Sequence, residues 1–311
     1  MASARFILPS IPWSIPMNIT RRGFLATGAA AAAGSALLHN VSAADEPKTE
    51  PVAVLKLSSQ LGVIPGRDLP EKLANMEKWG FDAVEVYSDA VGNENKCLDA
   101  LKNTKLQVSA ICWGSHKGDL VSDVVSKRAA GVEALRNALT SAGALGAAGV
   151  VFVPAFNRDT KLCNREIREI LVDTLPALGE HAEKHNTHVI LEPLNRKEAF
   201  FLRQVADAAS IARDCKSPGI AVMGDFYHMY IEEPSDLGAF ISGGPLVRHV
   251  HLASRTRVLP GQDERQFVDG FRGLKWIGYR GYCSFECGVR GDRETEIPKS
   301  LAFLRQQWSM A

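Results

Sequence analysis

Apolar runs of strand length alternate with longer amphipathic stretches along most of the chain. From Val52, AVLKLSS leads into LPEKLANMEKWG, DAVEVYS into NKCLDALKNT, LQVSAICWG into SDVVSKRAAGVEALRNALTSAGALG, and GVVFVPAF into NREIREILVDTLPALGEHAEKHN. The second half repeats the pattern. HVILEPLN precedes RQVADAASIARDC, IAVMGDFYH precedes PSDLGAFISG, VRHVHLAS precedes ERQFVDGFRGLKWIGY, and GYCSFEC precedes PKSLAFLRQQW. The runs begin in Val, Ile, Leu or aromatic residues, as strands buried on both faces do, and end in polar residues. Eight such units over residues 52–311 predict a single α/β domain, a (β/α)8 barrel. An open doubly wound sheet competes less well. No GxGxxG follows the first strand, and polar residues recur at many strand ends rather than at one crevice.

The first 51 residues break the pattern. Thr20-Arg21-Arg22-Gly23-Phe24-Leu25, then TGAAAAAGSALL and Val41-Ser42-Ala43, resemble a twin-arginine export signal with a small-residue cleavage site, so residues 1–43 are predicted to be removed. The apolar stretch is shorter than the ~20 residues needed to span a bilayer. Residues 44–51, ADEPKTEP, read as a linker. The expectation is an exported, periplasmic protein without stable membrane insertion.

Composition, with 46% hydrophobic and 23% charged residues, fits one globular domain. Residues 1–43 hold Arg5, Arg21 and Arg22 and no acid, so without them the formal charge moves from +1 to −2. That balance gives no reason to expect a nucleic-acid partner. The six cysteines show no CxxC spacing, and no disulfide framework is expected.

Four side chains stand out at the ends of strand-like runs: Glu192, Asp225, His251 and Glu286, with steps of 33, 26 and 35 residues between them. Each step is about one strand-plus-helix unit. In a parallel barrel, corresponding strand ends share one face, so the four would converge on a common point. Oxygen and imidazole ligands without thiolate favour one hard or borderline divalent cation, Mn²⁺ first, with Mg²⁺ or Co²⁺ as alternatives. Two glutamates beside such a site suit proton removal on one face of a carbon and proton delivery on the other.

These residues carry a resemblance. The chain resembles the xylose isomerase-like TIM barrels, and its strand ends resemble the branch that holds D-tagatose 3-epimerase and hydroxypyruvate isomerase. The matching stretches are LEPLNR with Glu192, DFYHM with Asp225, HVH with His251 and SFEC with Glu286. The resemblance implies a metal-dependent sugar isomerase or epimerase in which Glu192 and Glu286, besides holding metal, exchange a proton through a metal-stabilised enediolate. It also implies that His228, Glu198 and Arg257 contact substrate oxygens, and Trp113 could give a sugar a flat apolar wall. Departures bear on the substrate: LASRTR follows His251 where the epimerases carry a Gly-Glu pair, and Cys-Gly follows Glu286 where a Pro-aromatic pair is common.

Three alternatives stay open at the level of sequence. The same chemistry could expel a leaving group, giving a lyase or dehydratase acting on keto-sugars or keto-glycosides. The barrel is shared with endonuclease IV-type phosphodiesterases, but these need more histidine. A sugar-binding protein without catalysis is the third. The expected partner is a small carbohydrate, and homo-oligomerisation is open.

Overall fold

The computed structural model describes residues 52–311; the export signal, residues 1–43, and the linker, residues 44–51, expected from sequence lie outside the described residues. Eight parallel strands close into a barrel in sequence order: β1 (Lys56–Gln60), β2 (Ala83–Tyr87), β3 (Gln107–Gly114), β4 (Val150–Phe152), β5 (Val189–Leu191), β6 (Ile220–Asp225), β7 (Val247–Leu252) and β8 (Tyr282–Phe285). Closure is direct. Ser58 of β1 is in register with Ala83 of β2 on one side and with Ser284 of β8 on the other. The helices are α1 (Leu69–Trp79), α2 (Glu94–Leu101), α3 (Val125–Ala144), α4 (Asn164–Lys184), α5 (Val205–Cys215), α6 (Phe226–Glu232), α7 (Asp236–Gly243), α8 (Val268–Trp276) and α9 (Arg293–Met310).

Local sequence explains where these elements begin and stop. In α1, the Asp68 side chain accepts from the Glu71 N–H, and Pro70 occupies the first turn, where its missing N–H costs nothing. The helix ends at Gly80, whose φ of 82° is open to glycine at little cost. One element departs from the sequence reading, in which DFYHM ends a strand. Only Asp225 is strand; Phe226 onward is α6, capped by Asp225 Oδ1 accepting from the Tyr227 N–H at 2.7 Å.

Alternation along each strand divides the core. One set, including Leu57, Val84, Ile111, Val150, Leu191, Val222, Val250 and Phe285, packs outward against the helices in the main core. Ala110, Val151, Ile190, Ala221 and Met223, from β3 to β6, form a separate cluster inside the barrel. The interior of β7, β8, β1 and β2 instead carries polar residues, His249, His251, Ser284, Ser58, Gln60 and Glu85, all buried. Burying that many polar groups is costly unless each has a partner. The partners of His249, His251, Gln60 and Glu85 lead to the C-terminal face of the barrel. Among the described residues, no helix is long and apolar enough to cross a membrane.

Candidate active site

Glu192 follows β5, Asp225 ends β6, His251 lies near the end of β7 and Glu286 follows β8, so all four reach the C-terminal face. His251 Nδ1 is 3.3 Å from Glu192 Oε1, 3.2 Å from Glu286 Oε2 and 3.9 Å from Asp225 Oδ2. Glu192 Oε1, Asp225 Oδ2 and His251 Nδ1 are buried without a hydrogen-bond partner. Four acidic groups, counting Glu85, are gathered there with Arg257 the cation paired to Glu286. Unpartnered donor atoms and excess negative charge, at spacings that bonds of about 2.0–2.2 Å to one ion could span, fit a divalent cation.

A geometric grouping of Glu192, Asp225, His228 and Glu286 also satisfies ligand spacing, with Glu85, His249 and His251 as a second group. The hydrogen-bond partners of the two histidines decide between them. His228 Nδ1 accepts from the Asn195 backbone N–H at 3.1 Å and faces the Asn195 side-chain amide at 2.7 Å. A backbone N–H can only donate, so neutral His228 carries its proton on Nε2, which lies 3.6 Å from Asp225 Oδ2. That nitrogen is a donor and has no free lone pair for a metal. His251 is the reverse case. Its Nε2–H donates to Glu85 Oε1 at 2.9 Å, which keeps the proton on Nε2 and leaves the Nδ1 lone pair aimed at the three carboxylates. His251 is therefore the nitrogen suited to a cation, and His228 the donor suited to a substrate oxygen.

Glu85 is the functional residue that the sequence reading missed. It is fully buried on β2, and its second oxygen is 2.9 Å from His249 Nε2, so one carboxylate fixes both imidazoles. Burial alone would raise its pKa, but His251 and His249 outweigh that and hold it well below the usual carboxylate range. The available signal was a single acid inside the apolar run AVEVY, since a charge in a strand buried on both faces needs a buried partner.

The ligand set feels opposing pressures. Burial, and then Glu286, raise Asp225 to about 7, and burial raises Glu192. For Glu286, burial is overcome by His251 and Arg257, which bring it to about 2. His251 is driven well above its normal value because Glu85 and Glu286 outweigh its desolvation. A bound cation would supply the positive charge that His251 otherwise takes up as a proton.

Arg257 has a left-handed backbone, φ 56°, and its guanidinium donates to Glu198 Oε1 and to Glu286 Oε2, each at 3.0 Å. It also lies 4.8 Å from the centre of the Tyr227 ring. Glu198 is further held by the Asn195 amide at 3.1 Å, whereas the neighbouring Arg196 pairs with Glu232. Of the residues singled out from sequence, Glu192, Asp225, His251, Glu286, His228, Arg257 and Glu198 are thus brought together. The half-buried Trp113 packs against the main core and stacks on His116, with centroids 4.3 Å apart. The neighbouring Cys112 thiol is pushed up by burial first and then by the charges of Glu85 and Glu286.

Known proteins share this barrel. The chain is 29% identical over 262 residues to 3-dehydro-D-guloside 4-epimerase of Escherichia coli (strain K12), covering 81% of this chain and 99% of the relative. It is 26% identical to L-ribulose 3-epimerase of Methylomonas sp. (strain DH-1), over 76% and 84% of the two chains. Both relatives are isomerase-class enzymes. Among solved structures, 3-keto-D-glucoside 4-epimerase from E. coli superimposes with a TM-score of 0.74 at 28% identity, covering 81% of this chain and all of the other. D-Psicose 3-epimerase from Clostridium cellulolyticum H10 shares the fold, with a TM-score of 0.75 at 19% identity over 82% and 99% of the chains. The sequence profile of the xylose isomerase-like TIM barrel matches residues 73–307, and the chain belongs to that family.

Proposed function

We propose that this protein is a divalent-metal-dependent epimerase that inverts a carbon next to the ketone of a keto-sugar. The observation that carries the reading is the pair of carboxylates flanking His251 Nδ1, Glu192 at 3.3 Å and Glu286 at 3.2 Å, borne on strands three apart around the barrel. Two carboxyl groups on different sides of one site can remove a proton from one face of a carbon and return one to the other. Their surroundings differ: burial raises Glu192, whereas His251 and Arg257 overcome burial and lower Glu286.

Glu192, Asp225, His251 and Glu286 would hold the cation. The oxygen-rich set with one imidazole favours Mn²⁺, with Mg²⁺ or Co²⁺ as alternatives. When bound, the ion polarises a carbonyl and makes the adjacent C–H more acidic. The His228 Nε2–H is directed into the site to donate to a substrate oxygen, and Arg257, held by Glu198, offers a fixed positive charge to a developing oxyanion. Similarity along the full length of a 3-dehydro-guloside epimerase, together with the departures from the ketohexose epimerase pattern after His251 and Glu286, favours 3-keto-glycosides over free ketohexoses.

The test is deuterium incorporation from D₂O into 3-keto-glycosides and free ketoses, with Mn²⁺-loaded protein against an EDTA-treated control. Exchange at the carbon next to the ketone, with appearance of the epimer and loss of both in EDTA, is the expected outcome. Release of water or an aglycone instead would make the enzyme a lyase, and absence of exchange with every substrate would sink the epimerase reading.

A further inference from the structure

Gln60 is the last residue of β1, is 6% exposed, and points into the polar half of the barrel. Its Nε2 donates to Glu85 Oε1 and to Glu286 Oε1, both at 3.1 Å. Both partners are carboxylates, which only accept, so the amide must present its NH₂ to them. The flipped orientation would set its oxygen against two anions. The other end of the amide is oriented as well. The Tyr87 hydroxyl donates to Gln60 Oε1 at 3.4 Å and itself accepts from the Gly62 N–H at 3.3 Å. A Cβ on Gly62 would sit 2.8 Å from that hydroxyl oxygen, so the residue after Leu61 has no room for a side chain unless Tyr87 moves.

Of the two glutamates, Glu286 is the one that this amide touches. Its two oxygens are held by two different donors, Oε1 by Gln60 and Oε2 by Arg257. The same Gln60 amide touches Glu85, which sets the tautomer of His251. Glu192 has no equivalent clamp: its Oε1 makes no hydrogen bond and faces His251 Nδ1 at 3.3 Å.

We propose that Gln60 is a positioning residue: its amide locks the Glu286 carboxylate to the Glu85–His251 pair, so that the Glu286 half of the proton transfer depends on it and the Glu192 half does not. This rests on the two-glutamate reading above. In that reaction a C–H bond breaks as one glutamate oxygen takes the proton, and a C–H bond forms on the other face as the second glutamate gives one up; no oxidant or further reactant is needed. From one epimer Glu286 removes the proton, and from the other Glu192 does.

Gln60→Met keeps the length of the side chain and removes both donors. Turnover should fall about 10- to 100-fold with KM little changed, as for loss of a hydrogen-bonding partner behind a site residue. Mn²⁺ affinity, read by calorimetry, should change less than turnover, because Arg257 still holds Glu286.

The deciding readout is the ratio of solvent exchange in recovered substrate to conversion, measured in D₂O from each epimer separately. When Glu286 is slowed, the epimer deprotonated by Glu192 should return to solution deuterated many times before it converts. The epimer deprotonated by Glu286 should convert with less exchange than in wild type. Tyr87→Phe, which removes only the hydroxyl that orients Gln60, should shift both ratios the same way by a smaller factor, and it answers the question if the Met variant does not fold. Equal loss from both epimers with unchanged ratios would overturn the role of Gln60 while leaving the two-glutamate mechanism intact. Wild-type protein that exchanges no proton from either epimer would overturn both.

Discussion

The two halves of the barrel interior are built from opposite materials. From β3 to β6, Ala110, Val151, Ile190, Ala221 and Met223 fill the space with apolar side chains, and Glu192 and Asp225 stand on top of this plug with open lone pairs. From β7 through β8 and β1 to β2, the interior is a hydrogen-bonded assembly in which His249, His251, Glu85, Gln60 and Glu286 hold one another. Two glutamates of identical chemistry therefore enter one site in different states. Glu286 is fixed at both oxygens and held ionised by His251 and Arg257, whereas Glu192 is raised by burial. The apolar half supplies a floor beneath a carboxylate whose burial His251 offsets only in part, and the polar half supplies compensation.

The largest effects should come from the glutamates themselves. Glu192→Gln and Glu286→Gln should each cut turnover about 10²- to 10⁴-fold, yet they should move metal-free stability in opposite directions. Glu192→Gln removes a buried carboxylate whose desolvation outweighs its neighbouring imidazole, His251 Nδ1 at 3.3 Å, and should raise the melting temperature. Glu286→Gln strips charge from a group accepting from Gln60 and Arg257, and should cost about 1–3 kcal/mol. Thermal unfolding of the two metal-free variants checks this, and shifts of the same sign would erase the contrast between the halves.

A smaller effect is expected behind the ligands. Glu85→Gln keeps the shape but faces two imidazole N–H groups with an amide that can accept through one oxygen only. Metal affinity should weaken about 10- to 100-fold, measured by competition with a chelator; unchanged affinity would leave Glu85 with no part in setting His251. The smallest belongs to the plug: Ile190→Val should cost about 0.5–1.5 kcal/mol of stability and leave turnover and metal affinity unaltered.

Much of this architecture is legible from the chain alone. The eight alternations of short apolar and longer amphipathic segments specify a parallel barrel because each strand is buried on both faces and each helix on one. That geometry brings Glu192, Asp225, His251 and Glu286 to one face whatever the details of packing, since corresponding strand ends in a parallel barrel have nowhere else to go. Tertiary structure alone decided how those residues are prepared. Glu85 and Gln60 reach their partners across 164 and 226 residues of sequence, through the inward alternation of β1 and β2 and the register that closes β1 on β8. The proton positions on His228 and His251 follow from an Asn195 N–H and a Glu85 carboxylate that no spacing announces. Strand periodicity is a local property, written in every other residue. Hydrogen-bond complementarity inside a closed barrel exists only once the ring of strands is complete.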